Sequence, residues 1–373
     1  MGTKQEVHSQ PKPAEEQLEG IETDRDTSLG DYPIDTVLIR NETRTVFDTL
    51  RRIEKGSFVM DPDFQRDFIW PIDKQSKLIE SVLMRIPLPV FYLAEDKKGR
   101  MIVVDGLQRL TTFQRFRNNE FKLKLEAQKD LDSKLFSDLS PKLQNRIEDC
   151  NLILYIIDAK VPERALLDIF ERVNGGVPLT RQQMRNCLHM GPATRFLKEE
   201  ASSELFLKAT GKSLNIDTMR DREFVNRFCA FQILSLEDYK AREMDDFLAH
   251  ALQVMNDLPN DELAKLSAQF RSSLTNNLKV FGKHAFRKHR SPDSDRSVIN
   301  ASLWDVMSTG LSMYDEKVVA KRADALRAAF YPLMDDQKFI DAITYGPNDA
   351  RKVQLRFARA KAMFSEVLGA DAT

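Results

Sequence analysis

The chain of 373 residues is 42% hydrophobic and 30% charged, with 14 Gly and 15 Pro, which is the balance of a soluble globular protein and excludes fibrous and wholly disordered chains. Fifty-six Lys plus Arg against 57 Asp plus Glu leave a formal net charge of −1, so no global field draws the chain onto nucleic acid or lipid, and any such contact must be local. The cysteines, Cys150, Cys187 and Cys229, form no CxxC pair and fit a reducing cytoplasm; the longest apolar run, Leu152 to Ile157, is far short of the ~20 residues of a membrane span, so no membrane contact is expected.

Residues 1–30 carry Glu6, Glu15, Glu16, Glu19, Glu22, Asp24 and Asp26 against few cations and little apolar surface, and are expected to form a disordered acidic tail. From residue 31 to 190 strand-like runs at Val90 to Ala94, Met101 to Val104, Phe121 to Leu125 and Leu152 to Ile157 alternate with helical patterns, which predicts a mixed α/β domain. One helix is marked by Leu78, Ile79, Val82, Leu83 and Ile86 and stops at the following Pro-Leu-Pro segment. Another is expected from Pro162 through Leu166, Leu167, Phe170 and Val173, followed by an Asn174-Gly175-Gly176 break. Thr180 and Gln183 then form a capping box that starts a further helix. Beyond residue 190 every period is helical, as in Phe224, Phe228, Phe231 and Leu263, Leu266, Phe270, Leu274, so residues 191–373 are expected to form an α-helical domain. The fold class is thus α+β.

The most informative stretch is Met101 to Phe113, a strand, a turn and a helix in the layout of a phosphate site. Gly106 permits close backbone approach, the helix start offers free N–H groups and a positive dipole end, and Arg109 adds a cation. Thr111 and Thr112 offer hydroxyls, and Asp105 is placed to hold a Mg²⁺ that bridges to phosphate. The same spacing equally describes a plain Asp-Gly turn with Arg109 exposed and Leu110 and Phe113 packed inward. A second cluster, Pro62 to Trp70, sets Gln65 and Arg66 among aromatic residues, which suits either a nucleotide pocket or a loop pinned by its rings. In a third, Phe170 to Gly176, a helix ends on Asn174 and Gly175 with backbone groups available to a ligand or merely to a C-cap.

In order along the chain, Gln65-Arg66 with Trp70, Leu78 to Pro89, Val103 to Thr112 and Ile169 to Gly176 resemble the GmrSD-type restriction enzyme N-terminal domain family. Segments Asp221 to Arg227, Phe281 to Arg287 and Asn300 to Val306 also resemble the family's helical region, so the likeness extends over nearly everything after residue 30. The resemblance implies a ParB/sulfiredoxin-like fold for the first domain and Mg²⁺-dependent binding and hydrolysis of a nucleoside triphosphate in a prokaryotic antiphage or restriction system that acts on foreign DNA. It implies a catalytic set of Asp105, Gln108 and Arg109 and a nucleotide-binding set of Gln65, Arg66, Gly106, Thr111, Thr112, Asn174 and Gly175. The signature Asp-Gly-Gln-Gln-Arg is carried with one departure, because Leu107 stands at the first Gln.

The HNH nuclease domain that often follows in this family needs clustered histidines, and none occurs after His289, so cutting is expected from a nuclease or modification partner subunit; homo-oligomerisation is a further expectation. The competing readings are a DNA-binding adaptor without catalysis and a direct nuclease. Basic residues concentrate between Arg271 and Arg296, where Lys283, Arg287, Lys288 and Arg290 are candidate DNA contacts, although a solvated helix end and loop explains such a run equally well. Gly211-Lys212-Ser213 resembles the end of a Walker A loop, but Phe206 occupies the required earlier glycine, so it reads as a surface turn.

Overall fold

The computed structural model describes residues 18–19, 38–60, 70–96, 98–161, 165–167, 169, 180–237, 239 and 244–369. Of the acidic tail only Leu18–Glu19 is described; these residues form a short strand, β1, while the rest of residues 1–30 lies outside the described residues.

The first half is organised around β6 (Asn151–Ile157), whose residues Leu152, Leu154 and Ile156 alternate inward. It pairs antiparallel with β2 (Ile39–Thr45) and parallel with β4 (Phe91–Glu95). β4 pairs antiparallel with β5 (Met101–Asp105), and β5 parallel with β3 (Phe58–Val59), giving the order β2-β6-β4-β5-β3. Helices α1 (Val46–Glu54), α2 (Ile72–Leu83), α3 (Leu107–Arg117) and α4 (Pro141–Glu148) contribute to the core on one face, where Leu50, Ile79, Phe113 and Ile147 meet Phe91, Leu93 and Leu154. On the other face Ala94, Ile102 and Val104 pack with Met184 and Cys187 of α5 (Arg181–Leu188).

Several expectations are corrected. Phe121 to Leu125 buries alternate residues as a strand would, yet it is not one: its amides go to Ser76 Oγ, Asp132 Oδ1 and the Lys134 carbonyl, so local acceptors replace a partner strand. Ile86 lies beyond the end of α2 and is exposed. The polar edge strand β2, Ile-Arg-Asn-Glu-Thr-Arg-Thr, carries no apolar alternation because solvent reaches most of it. The expected helix from Pro162 to Val173 falls mostly outside the described residues, of which 165–167 are helical. The Thr180–Gln183 capping box is present, with Thr180 N donating to Gln183 Oε1 at 2.7 Å and Gln183 N to Thr180 Oγ1 at 3.2 Å.

Beyond residue 190 the described chain is helical apart from a short strand. In order come α6 (Pro192–Ala201), α7 (Glu204–Thr210), α8 (Arg220–Ile233), α9 (Met244–Asp257), α10 (Asn260–Phe281), the strand β7 (Ile299–Asn300), α11 (Ala301–Leu311), α12 (Glu316–Asp335), α13 (Gln337–Thr344) and α14 (Ala350–Leu368). β7 pairs parallel with β1. Trp304 anchors the core: its indole donates to the Phe224 carbonyl at 2.7 Å, and Phe206, Phe224, Phe270 and Phe286 surround it at centroid distances between 4.4 and 6.2 Å. Beside it Asp305, fully buried, takes a fork from Arg227 at 2.8 and 2.7 Å and a third bond from Arg356 at 2.8 Å. Among the described residues no helix is long and apolar enough to cross a membrane.

Candidate functional site

The turn between β5 and α3 collects six of the expected site residues. β5 ends on Asp105, and Gly106 starts α3 with φ +99°, a conformation that L side chains rarely adopt. A Cβ at this position would fall 2.2 Å from Phe91 Cδ1, so the glycine is required on two counts. Because Gly106 has no side chain to cap the helix, the amides of Leu107, Gln108 and Arg109 have no hydrogen-bond partner among the described residues. Free amides at the positive end of an eleven-residue helix form a seat for an anion.

Arg109 is buried rather than exposed, which removes the plain-turn reading of that residue. Its Nη1 donates to the Pro89 carbonyl, and its Nη2 donates to the Val90 carbonyl at 3.0 Å and to Asp105 Oδ2 at 2.8 Å. The guanidinium also lies over the Phe91 ring, with Cζ 4.2 Å from the centroid. Burial lowers its pKa and Asp105 opposes that shift, so it remains a cation. Arg109 therefore ties Asp105 to the 89–90 segment. The Asp105 side chain is 32% exposed, and Oδ1 accepts no bond among the described residues.

Gln108 reaches backward, its Oε1 accepting from Trp70 N at 3.0 Å. Gln75 Nε2 donates to the Trp70 carbonyl at 2.5 Å, and Gln75 Oε1 accepts from Arg115 Nη1 at 3.0 Å. Both backbone groups of Trp70 are thus clamped against α2 and α3. Leu107 is half-buried and packs on the core, as an apolar residue at that position should. Thr112 donates its hydroxyl to the Gln108 carbonyl at 2.7 Å, within the helix. Thr111 Oγ1 is buried without a partner. Gln65, Arg66, Asn174 and Gly175 lie outside the described residues.

Sequence reasoning missed Phe91, Gln75 and the carbonyls of Pro89 and Val90. Gln75 left a signal: it stands three and four residues before Leu78 and Ile79, so a polar side chain occupies the apolar stripe of α2 and is buried there.

Of the candidate DNA contacts, Lys288 pairs with Glu19, Arg290 with Asp335 at 2.8 Å, Arg287 is buried, and Lys283 is exposed. His284 and His289 face each other with ring centroids 4.7 Å apart, both buried, where a turn rather than a helix joins them. Among the described residues no group of three or more His, Cys, Asp or Glu side chains could hold a metal ion.

A mixed sheet whose fifth strand ends in Asp-Gly, with an uncapped helix and a pinned carboxylate behind it, is an α+β domain built around one strand-to-helix turn. The sequence model of the family described as GmrSD restriction endonuclease, N-terminal domain, matches residues 46–190, which contain this turn, so that part of the chain is similar to that domain. The match ends before α6, leaving the segments at 221–227, 281–287 and 300–306 outside it. No curated protein matches the chain.

Proposed function

We propose that the chain is the nucleotide-binding and nucleotide-hydrolysing component of a restriction system directed at foreign DNA, with the β5–α3 turn as its site. The observation that carries this reading is the pairing of unpartnered helix amides at 107–109 with a partly exposed carboxylate at 105 whose position is fixed by Arg109. The amides and helix dipole suit phosphate oxygens. Among the described residues Asp105 would be the one carboxylate on Mg²⁺, a common arrangement because that ion keeps waters and phosphate oxygens as its other ligands; when bound it would offset phosphate charge. Arg109 acts as a positioning residue: its Nη donors serve protein acceptors, and it holds the Asp105 carboxylate beside the turn. Gln108 positions Trp70, the last residue of the segment that carries Gln65 and Arg66.

The test is phosphate release from ATP, GTP, CTP and UTP with Mg²⁺, with and without DNA, comparing the intact chain with Asp105→Asn. Asn at this position still accepts the Arg109 bond and keeps the turn, so the variant should fold with a nearly unchanged thermal midpoint and release no phosphate. Equal release by both proteins would remove the turn from consideration as the active site.

A further inference from the structure

The surface turn Gly211-Lys212-Ser213 follows α7, with Gly211 in the left-handed conformation at φ +63°. Two guanidinium groups converge on it. Arg287 Nη2 donates to the Thr210 carbonyl and to Ser213 Oγ, both at 2.8 Å, while its Nη1 donates to the Ala285 carbonyl at 3.0 Å. Arg296 Nη2 lies between 3.3 and 3.4 Å from the Thr210 and Gly211 carbonyls and Ser213 Oγ. A Cβ on Gly211 would fall 1.7 Å from Arg296 Nη2, so the close approach of that cation requires the glycine.

Neither guanidinium has a carboxylate within ion-pair distance among the described residues. This sets them apart from Arg271, Lys288 and Arg290 in the same basic stretch, which pair with Glu200, Glu19 and Asp335. The carbonyl end of α7 offers only about half a negative charge against two cations. The remaining charge is felt: burial first and Arg296 second lower Arg287 to about 10, and Arg287 Nε is buried without a partner. Ser213 Oγ accepts from both arginines, which leaves its own proton to be donated elsewhere. Two cations without an acid and a hydroxyl with a proton to give are the complement of a phosphate oxyanion.

We propose that the exposed Arg296 and the Ser213 hydroxyl, held from behind by the buried Arg287, form a contact site for a backbone phosphate of DNA on the helical half of the chain. The proposal rests on the reading of this chain as one that acts on DNA, but not on nucleotide hydrolysis at the β5–α3 turn. Phosphate is common to DNA and free nucleotides; a backbone fits better because Gly211, Lys212, Ser213 and Arg296 are all exposed, so the turn presents an open surface rather than a cleft that could enclose a nucleotide.

The experiment is fluorescence anisotropy of a short fluorescein-labelled DNA duplex with the full chain over a NaCl series, without nucleotide. Each phosphate contact adds about 0.9 to the slope of log affinity against log salt. Arg296→Gln should make the slope shallower by about 0.9. Arg296→Lys should restore the slope, Ser213→Ala should weaken binding at unchanged slope, and Arg290→Gln, which removes a cation already paired with Asp335, should leave the slope as it was. A wild-type slope in Arg296→Gln, an equal loss in Arg290→Gln, or no DNA binding by the unaltered chain would overturn the site. So would loss of a labelled nucleoside triphosphate in Arg296→Gln with DNA binding intact. Phosphate release measured in parallel without DNA should be unaffected by Arg296→Gln, so failure here is distinguishable from failure at Asp105.

Discussion

Gly106 concentrates two separable constraints in one residue. Its φ of +99° disfavours any side chain, and the space where a Cβ would stand is filled by the Phe91 ring, which in turn carries the Arg109 guanidinium. Gly106→Ala should therefore destabilise by about 2 kcal/mol or more, adding backbone strain to overpacking. The contributions divide in the double variant Phe91→Leu/Gly106→Ala: the shorter side chain relieves the collision and leaves the dihedral strain, so urea midpoints should show partial rescue relative to Gly106→Ala alone. Full additivity of the two losses would mean that the ring and the glycine do not constrain each other. A second residue-scale expectation concerns His289, enclosed by His284, Phe281 and Phe330. Burial holds its pKa below the ordinary value, helped by His284 and Arg327 and opposed by the bond that its ring Nδ1 donates to the Arg287 carbonyl. The folded state then binds fewer protons than the unfolded state, so stability falls as pH drops below about 6.5. His289→Phe should flatten that fall in urea melts between pH 7.5 and 5.5; an unchanged profile would place the acid sensitivity elsewhere.

At the scale of elements, α3 is a hub that one strand feeds and whose polar side chains hold a neighbouring segment. Gln108 and Gln75 clamp the two backbone groups of Trp70, so Gln108→Ala should cost about 1 kcal/mol and loosen the indole. Trp304 is fully buried and Trp70 half-buried, which makes the change readable as increased acrylamide quenching of the accessible tryptophan; unaltered quenching would mean that Gln75 alone suffices. The same hub shows what a sequence can reveal. β5 running through Asp105-Gly106 into α3 was legible because apolar alternation, a glycine and a new helical period follow one another in sequence. So was α5, whose Thr180 and Gln183 cap each other across three residues. The burial of Arg109 was not legible, because its acceptors Pro89 and Val90 lie about twenty positions away and no local pattern encodes them. Phe121 to Leu125 misled for the converse reason: alternation reports which residues are buried, and whether a partner strand exists depends on distant acceptors.

Across the whole molecule, α5 joins the two cores. Met184 and Cys187 pack on the sheet, while Arg181 and Arg185 reach Asp245 at the start of α9, the latter at 2.5 Å, and Thr180 and Gln183 bond the carbonyls of Thr218 and Asp217 at 2.7 Å. Asp245 is the charged centre of the joint. Burial pushes its carboxyl up, but Arg185 and Arg181 more than reverse this, and the folded pKa lies below the ordinary value. A depressed carboxylate contributes stability that is complete above the unfolded value of about 3.9 and is lost as pH falls through the folded one. Asp245→Asn keeps the shape and an acceptor oxygen but not the charge, and among the described residues Arg185, almost fully buried, has Gln182 Oε1 at 3.1 Å as its one further acceptor. The variant should lose about 3 kcal/mol at neutral pH, the range for breaking a buried pair, and much less near pH 3, where the native carboxylate is itself being protonated. Calorimetry should resolve the joint directly: a single transition in the intact chain should broaden or split at pH 7 in Asp245→Asn as the sheet and the helices melt apart. Parallel pH profiles with one undivided transition would show that the bonds of Thr180 and Gln183 to the Thr218 and Asp217 carbonyls hold the halves together without the ion pair.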